Sequence, residues 1–138
     1  MPANLKTSKE IVKTCKDSLD ELKAIDICSF EVEKISSFTS FILVASGTSG
    51  RHIQSIADKV IENLRNKKVQ ILGTEGAEAK DWILIDAGDV IINIMSEDSR
   101  EHYDLESLWD RKPRWEFHYY ISSKIKQRML IVLKNISW

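Results

Sequence analysis

The chain has 138 residues, of which 43% are hydrophobic and 30% charged, and its formal net charge is −1. This size suits one domain that buries its own core without metal or disulfide staples, and the composition excludes a disordered chain. The near-neutral charge argues against a general nucleic-acid binder, and no apolar run is long enough to cross a bilayer. The first residues lack the pattern of a secretory signal, so we expect a cytoplasmic protein with reduced cysteines.

The N-terminal part predicts one helix followed by a β-hairpin. Thr7 and Glu10 have the spacing of a capping box, and the helix that it starts ends near Asp26 and carries the apolar stripe Ile11, Cys15, Leu19 and Leu22. The alternating segment around Phe30 predicts a half-buried strand, and serines then supply turn chemistry. The continuously apolar run 41–45 is typical of a central strand that is covered on both faces.

The middle of the chain predicts a strand, a helix and a second strand. A small-residue loop, 47–50, leads into a helix with an apolar stripe from Ile53 to Leu64, and the run 69–72 predicts a short strand. This order predicts a right-handed βαβ unit in which the strands 41–45 and 69–72 form a parallel pair. The loop has neither P-loop nor dinucleotide-site spacing, so a capped, tightly packed helix start is favoured over a phosphate site.

The stretch 80–109 organises the rest of the domain. After an exposed loop, 73–79, two strands at 82–85 and 90–95 are joined by a tight turn around Gly88. A short helix begins after Ser96, and Asp104 is placed to cap a final turn. The fold class predicted from these elements is α/β, with a mixed sheet and flanking helices.

Charge is strongly segregated along the chain. Residues 75–110 hold eleven acidic side chains against two basic ones, whereas residues 111–138 hold seven basic side chains against one acidic one. We therefore predict a domain, 1–110, that offers an acidic docking face to a basic partner, and a basic C-terminal extension, 111–138. The extension carries an amphipathic helical stripe, which favours packing on the domain or on a second copy; binding to lipid or RNA is the alternative.

Paired carboxylates raise the question of catalysis. Asp86 and Asp89 could hold a divalent metal, as in phosphoryl-transfer sites, which keeps a metal-dependent nucleotidyltransferase as the alternative function. However, the sequence lacks a Gly-Ser loop that feeds an Asp-x-Asp strand, and it offers no nucleophile or histidine metal motif. We expect no metal, no cofactor and no enzymatic activity. The aromatic residues among the carboxylates are interpreted as core residues or as interface anchors.

Several ordered motifs coincide with those of one known family. They are DWILIDAGDV at 81–90, REHYDLESLW at 100–109, TSFILVASGTS at 39–49, and a loop with Gly73 and Glu75-Gly76. Together they resemble the ribosomal silencing factor family, also called RsfS or Iojap-like, over about residues 11–109. Ser40 and Phe41 stand where that family usually has Asp and Tyr.

The resemblance implies a nucleotidyltransferase-like α/β domain that has no catalytic motif. It implies a translation repressor that binds the large ribosomal subunit through ribosomal protein L-fourteen, blocks association with the small subunit, and dampens translation when nutrients are limiting. It further implies partner contacts at Trp82, Asp86, Asp89, Arg100, Tyr103 and Asp104. No membrane or small-molecule partner is expected, while exposed strand edges and the apolar stripe of the extension favour a homodimer.

Overall fold

The computed structural model describes residues 7–32, 39–76 and 81–104. These residues form three helices and a five-stranded sheet whose strand order is β1-β2-β5-β4-β3. In chain order the elements are α1 Ser8–Glu21, β1 Ile25–Glu31, β2 Phe41–Gly47, α2 Gly50–Asn66, β3 Gly73–Glu75, β4 Trp82–Asp86, β5 Val90–Ser96 and α3 Glu97–Tyr103. The serine turn after β1, the turn that Asp104 was expected to cap, and the extension 111–138 lie outside the described residues.

Helix α1 begins as its sequence predicts. The Glu10 N–H donates to Thr7 Oγ1 at 3.2 Å, and the Thr7 N–H donates to Glu10 Oε2 at 3.1 Å, which completes the capping box. Both bonds satisfy amides that have no partner within the helix. Of the predicted stripe, Ile11, Cys15 and Leu19 are buried and Leu22 is half-buried; Val12 and Ser18 are buried as well.

The end of α1 was predicted wrongly. The helix stops at Glu21 rather than near Asp26, because Lys23 adopts a left-handed conformation with φ 59°. The Ala24 N–H then donates back to Leu19 O at 2.9 Å, which is the Schellman arrangement at a helix end. Glycine normally marks such an end, and a lysine in its place leaves no sequence signal.

The predicted hairpin is confirmed as an antiparallel β1–β2 pair. Phe30 lies opposite Ile42, and β1 starts earlier than expected, with Ile25 opposite Ser46. A bulge follows Ile25, where Asp26 has φ 50°. Buried on both faces, β2 is an interior strand, as predicted.

The predicted parallel partner of β2 is wrong. Its parallel neighbour is β5, with Phe41 opposite Val90 and Gly47 opposite Ser96. The run 69–72 forms no strand; instead Val69 and Ile71 are half-buried and pack against the core, while Leu72 is 58% exposed. Pairing starts only in β3, which joins β4 at the far edge of the sheet. An irregular connecting segment that packs apolar side chains on the core has the same hydrophobic sequence pattern as a short strand. The connection from β2 through α2 to β5 joins parallel strands, and its right-handedness stays a prediction.

The predicted β4–β5 hairpin and the start of α3 are confirmed. Strands β4 and β5 pair antiparallel, and Gly88 in their turn has φ 82°. Ser96 caps α3 by accepting the Ser99 N–H at 3.1 Å. Among the described residues, no helix has the length and apolar character needed to cross a bilayer.

The sheet is buried on both of its faces. The face under α1 and α2, called here the helical face, is lined by alternate strand residues such as Leu43, Ile83 and Ile92. The opposite face, called here the α3 face, carries the residues between them, and these are also buried: Ile42, Val44, Ser46, Trp82, Leu84, Asp86, Ile91, Asn93 and Met95. Successive residues of each strand therefore alternate between the two faces, as the two-residue repeat of a β-strand requires.

Candidate functional site

The small-residue loop after β2 is a packed helix start. Ser49 caps α2 by accepting the His52 N–H at 3.1 Å. A Cβ atom at Gly47 would lie 2.7 Å from Ile53 Cγ1, so only glycine lets α2 approach β2 this closely. The favoured interpretation of this loop, a capped and tightly packed helix start, is confirmed.

His52 fastens the same loop to α1. Its Nδ1 accepts from the Thr48 N–H at 2.9 Å, and its Nε2 donates to Leu22 O at 2.7 Å. An amide can only donate and a carbonyl can only accept, so the ring is neutral and carries its proton on Nε2. His52 is thus a link between helices.

Asp86 and Asp89 flank the β4–β5 turn but have different roles. Asp86 is 5% exposed, and its Oδ1 accepts the Gly88 N–H at 2.9 Å, which stabilises the turn. Asp89 is exposed, and its backbone oxygen accepts the N–H groups of Ser40 and Phe41. The described residues contain no group of three or more side chains placed to hold a metal ion.

Trp82 lies within the α3 face rather than on the surface. It is 1% exposed, and its Nε1 donates to Asn93 Oδ1 at 2.8 Å. Asn93, which is fully buried, donates in turn to Leu43 O at 3.4 Å. Asn93 was not among the residues predicted from the sequence; its signal was a single amide in the middle of the apolar run 90–95.

Arg100 turns inward and joins α3 to the sheet. Its Nη1 donates to Ile25 O at 3.3 Å and to Ser46 Oγ at 3.1 Å, and its Nη2 donates to Cys28 Sγ at 3.4 Å. The three acceptors lie on β1 and β2, which are distant from Arg100 in sequence. We call this set the Arg100 clamp. The family resemblance implied Arg100 as a partner contact, and no pattern in the sequence indicated these acceptors.

The last two candidates lie at the end of α3. Tyr103 is the final residue of the helix, and its side chain lies outside what the structure describes. Asp104 is the C-cap; it is exposed, has φ 46° and donates its N–H to Arg100 O at 2.9 Å. A short polar residue tolerates this left-handed conformation better than most.

Exposed carboxylates surround the start and the length of α3. Ser96 donates its N–H to Asp81 O at 2.8 Å, which places Asp81 beside the first turn of the helix. The α3 acidic surface, as we call it, consists of Asp81, Glu97, Asp98, Glu101 and Asp104, all exposed. Asp89 is not part of it, because the seven-residue β5, which spans roughly 20 Å, separates Asp89 from the start of α3.

The cysteines are free thiols in different surroundings. Cys15 is fully buried under α2, and this burial raises the pKa of its thiol to about 12. A thiol that stays protonated is a poor nucleophile. Cys28 is half-buried, and its Sγ is one of the acceptors of the Arg100 clamp. Cys15 is therefore a core residue, as its place on the helix stripe predicted.

Comparison with known proteins assigns this fold to a family. The family described as "Ribosomal silencing factor during starvation" matches residues 5–130, which extends past Trp109. A ribosomal silencing factor of Haemophilus influenzae is 38% identical over 99 residues, which are 72% of this chain and 97% of that protein. A mouse protein named "Mitochondrial assembly of ribosomal large subunit protein 1" is 33% identical over 94 residues, 66% of this chain and 41% of its own length.

A solved structure has a similar fold. The crystal structure of a Chromobacterium violaceum protein matches with a TM-score of 0.75 and 32% identity, over 88% of this chain and 99% of that one. Its agreement extends over the mixed sheet and the flanking helices. The chain therefore belongs to the ribosomal silencing factor family.

Proposed function

We propose that this protein represses translation by binding the large ribosomal subunit through ribosomal protein L-fourteen and blocking the approach of the small subunit when nutrients are limiting. Membership of a family of silencing factors supports the repressor role. The name of the mouse relative, which refers to the ribosomal large subunit, supports the choice of subunit. The protein acts as a cytoplasmic regulatory factor and not as an enzyme, and its fold is a nucleotidyltransferase-like scaffold used for docking.

The observation that carries the proposal is the α3 acidic surface. Five exposed carboxylates lie on and beside one short helix, and the Arg100 clamp fixes that helix to the sheet. Complementary charge steers and orients a basic partner, and ribosomal proteins that bind RNA are strongly basic. A fixed helix also loses little conformational freedom when the partner binds.

The six candidate residues then divide into contacts and supports. Asp104, which is exposed, and Tyr103 are proposed as partner contacts at the end of α3, and Asp89, exposed at the other end of β5, is proposed as a separate contact outside the α3 acidic surface. Trp82 and Asp86, which are at most 5% exposed, shape the surface from beneath. Arg100 positions α3 and thereby affects partner binding without contacting the partner itself. This division refines the set that the family resemblance implied.

Sedimentation with purified ribosomal subunits tests the proposal. The wild-type chain should migrate with the large subunit and reduce the fraction of joined ribosomes. The triple variant Glu97→Gln, Asp98→Asn, Glu101→Gln should bind roughly tenfold more weakly, which is about 1.4 kcal/mol. A matched control, Asp20→Asn, Asp26→Asn, Glu31→Gln, removes the same charge from exposed positions elsewhere and should bind like wild type. Failure of the wild-type chain to co-migrate contradicts the proposal.

Isolated ribosomal protein L-fourteen tests the named partner. Titrated against the wild-type chain and the two triple variants, it should show the same order of affinities as the whole subunit. If the chain binds the subunit but not L-fourteen, the repressor role stands and the partner is another component of the large subunit.

A homodimer is proposed as a second assembly. Strands β1 and β3 are at the two edges of the described sheet, where unpaired backbone groups can recruit another strand. Light scattering at several concentrations should show a mass that rises from one chain to two. A constant mass of one chain removes the dimer from the proposal.

A further inference from the structure

A second charged region lies at the other end of the molecule from the start of α3. Helix α2 leaves β2 beside the start of α3 and returns along the sheet, so it ends near the β4–β5 turn; the Leu72 N–H, a few residues later, donates to Asp86 O at 2.7 Å. Three exposed cations, Arg65, Lys67 and Lys68, lie at this end of α2. We call these three residues the basic end.

The three cations of the basic end lie within four positions of the chain, whereas Lys16, Lys23 and Arg51, which are likewise exposed and without a salt bridge among the described residues, lie apart from one another. Lys13 forms a salt bridge with Asp17 at 2.8 Å, and Lys59 forms one with Glu21 at 3.1 Å. Within the described ranges, no salt bridge involves Arg65, Lys67 or Lys68. The helix dipole favours one cation in the last turn, but its effect fades beyond that turn, where both lysines lie. Neither ion pairing nor the dipole accounts for the whole group.

The backbone holds the lysines in a fixed arrangement. Lys68 has φ 61°, and the Val69 N–H donates to Leu64 O at 2.9 Å, which makes another Schellman helix end. Lys23 has the same conformation after α1, so the basic end is set apart by the grouping of its three cations and not by the form of the helix end.

We propose that the basic end binds the phosphate backbone of RNA while the α3 acidic surface binds a basic protein. The inference rests on the proposed function, since a ribosomal subunit offers both chemistries side by side. Three exposed, unpaired cations suit phosphates, whose contact is electrostatic and independent of base sequence. The two surfaces lie at different ends of the molecule, so both can be occupied at once.

The test compares two triple variants of the full chain with equal charge changes. The first, Arg65→Gln, Lys67→Gln, Lys68→Asn, neutralises the basic end, with Asn chosen because it tolerates a left-handed conformation. The matched control, Lys16→Gln, Arg51→Gln, Lys23→Asn, changes three exposed cations elsewhere, and Lys23 has the corresponding left-handed position after α1. Thermal unfolding followed by circular dichroism confirms that both variants fold.

Each protein is titrated with purified large subunits and with a short RNA duplex, from about 50 to 200 mM salt. The basic-end variant should bind both probes roughly tenfold more weakly than the control, and the slope of log affinity against log salt should fall by about 2 to 3. Equal binding by the two variants overturns the inference. Weaker binding to subunits with unchanged binding to duplex also overturns it, in favour of an acidic protein partner.

The duplex separates this inference from the proposed function. If the wild-type chain ignores subunits yet binds duplex through the basic end, the proposed function fails and the RNA contact stands. If the wild-type chain binds subunits and the basic-end variant does so equally, the RNA contact fails and the proposed function stands.

Discussion

The two faces of the sheet are equally buried but differ in chemistry. On the helical face, strand residues such as Ile83 and Ile92 meet the apolar stripes of α1 and α2. On the α3 face, apolar residues are mixed with Asn93, Ser46 and Asp86, all buried. Trp82 and Arg100 add further directed hydrogen bonds to that face. Adjacent residues of one strand therefore belong to different kinds of interior.

The difference teaches which face supplies stability and which supplies geometry. Apolar burial is proportional to area and hardly directional, so the helical face stabilises the fold while tolerating changes of similar volume. Buried hydrogen bonds need fixed partners and are costly to leave unmade. The α3 face thus determines where α3 lies, and with it the α3 acidic surface.

The largest expected effects come from adjacent residues of β4 that face opposite ways. Trp82→Ala should lower the free energy of unfolding by about 3–5 kcal/mol, and Ile83→Ala by about 2–5 kcal/mol. Trp82→Phe sharpens the comparison, because it keeps a ring but removes the Nε1 donor to Asn93 and should cost about 1–3 kcal/mol. Urea denaturation measures all three. A Trp82→Phe variant as stable as wild type would contradict the role given to the hydrogen bond.

Removal of the Arg100 clamp should affect one face selectively. Arg100→Met keeps much of the side-chain length but leaves Ile25 O and Ser46 Oγ without this donor, at a cost of about 1.5–3 kcal/mol. Hydrogen exchange should accelerate in α3 and remain slow in α2. Arg51→Met, at an exposed position, is the control. Equal acceleration in both helices would break the distinction between the faces.

Cys15, on the helical face, makes a pH-dependent contribution to the free energy of unfolding. Its pKa is raised to about 12 from the ordinary 9.0, so above pH 9 the unfolded chain loses a proton that the folded chain keeps. Stability should therefore fall by about 1.4 kcal/mol per pH unit between pH 9 and 12 on this account. The variant Cys15→Ala should lack this part of the slope. Denaturation curves across that range compare the two proteins, and identical slopes would contradict the assignment.

The smallest effects are expected at the turn carboxylates. Asp89→Asn, at an exposed position, should change stability by less than about 0.5 kcal/mol. Asp86→Asn weakens the bond to the Gly88 N–H and should cost about 1 kcal/mol. Thermal melts of the two variants give the order. If Asp89→Asn is the more costly change, the assignment of Asp86 as the structural member is wrong.

Element starts and apolar faces could be predicted from the sequence because local side chains carry them. Thr7, Ser49 and Ser96 each cap a helix through a bond within three residues. Helix ends were harder, since Lys23 and Lys68 adopt conformations that glycine normally signals. The strand partner of β2 depends on contacts between residues almost fifty positions apart, which no local pattern encodes.

The candidate site was predictable only as a region. The residues of the stretch 80–104 were identified, yet which of them face outward depends on long-range packing. Arg100 illustrates this, because its acceptors on β1 and β2 precede it by 54 to 75 positions. The burial of Trp82 likewise depends on Asn93 and the α3 face. A sequence motif therefore does not reveal whether a charged or aromatic side chain faces the solvent or the interior.

The parallel ladder between β2 and β5 also affects how the chain folds during synthesis. The segment through α2 can pair β1 with β2 locally, and the segment from β3 to β5 can form its own meander. Within the described sheet, the β2–β5 ladder is the strand pairing that joins these two halves, and closing so long a loop makes it the slow step. Until residue 96 has left the ribosomal exit tunnel, β2 exposes an apolar edge that invites aggregation. Fragments ending before β5 should thus accumulate as insoluble protein, even though most of the core sequence has been made.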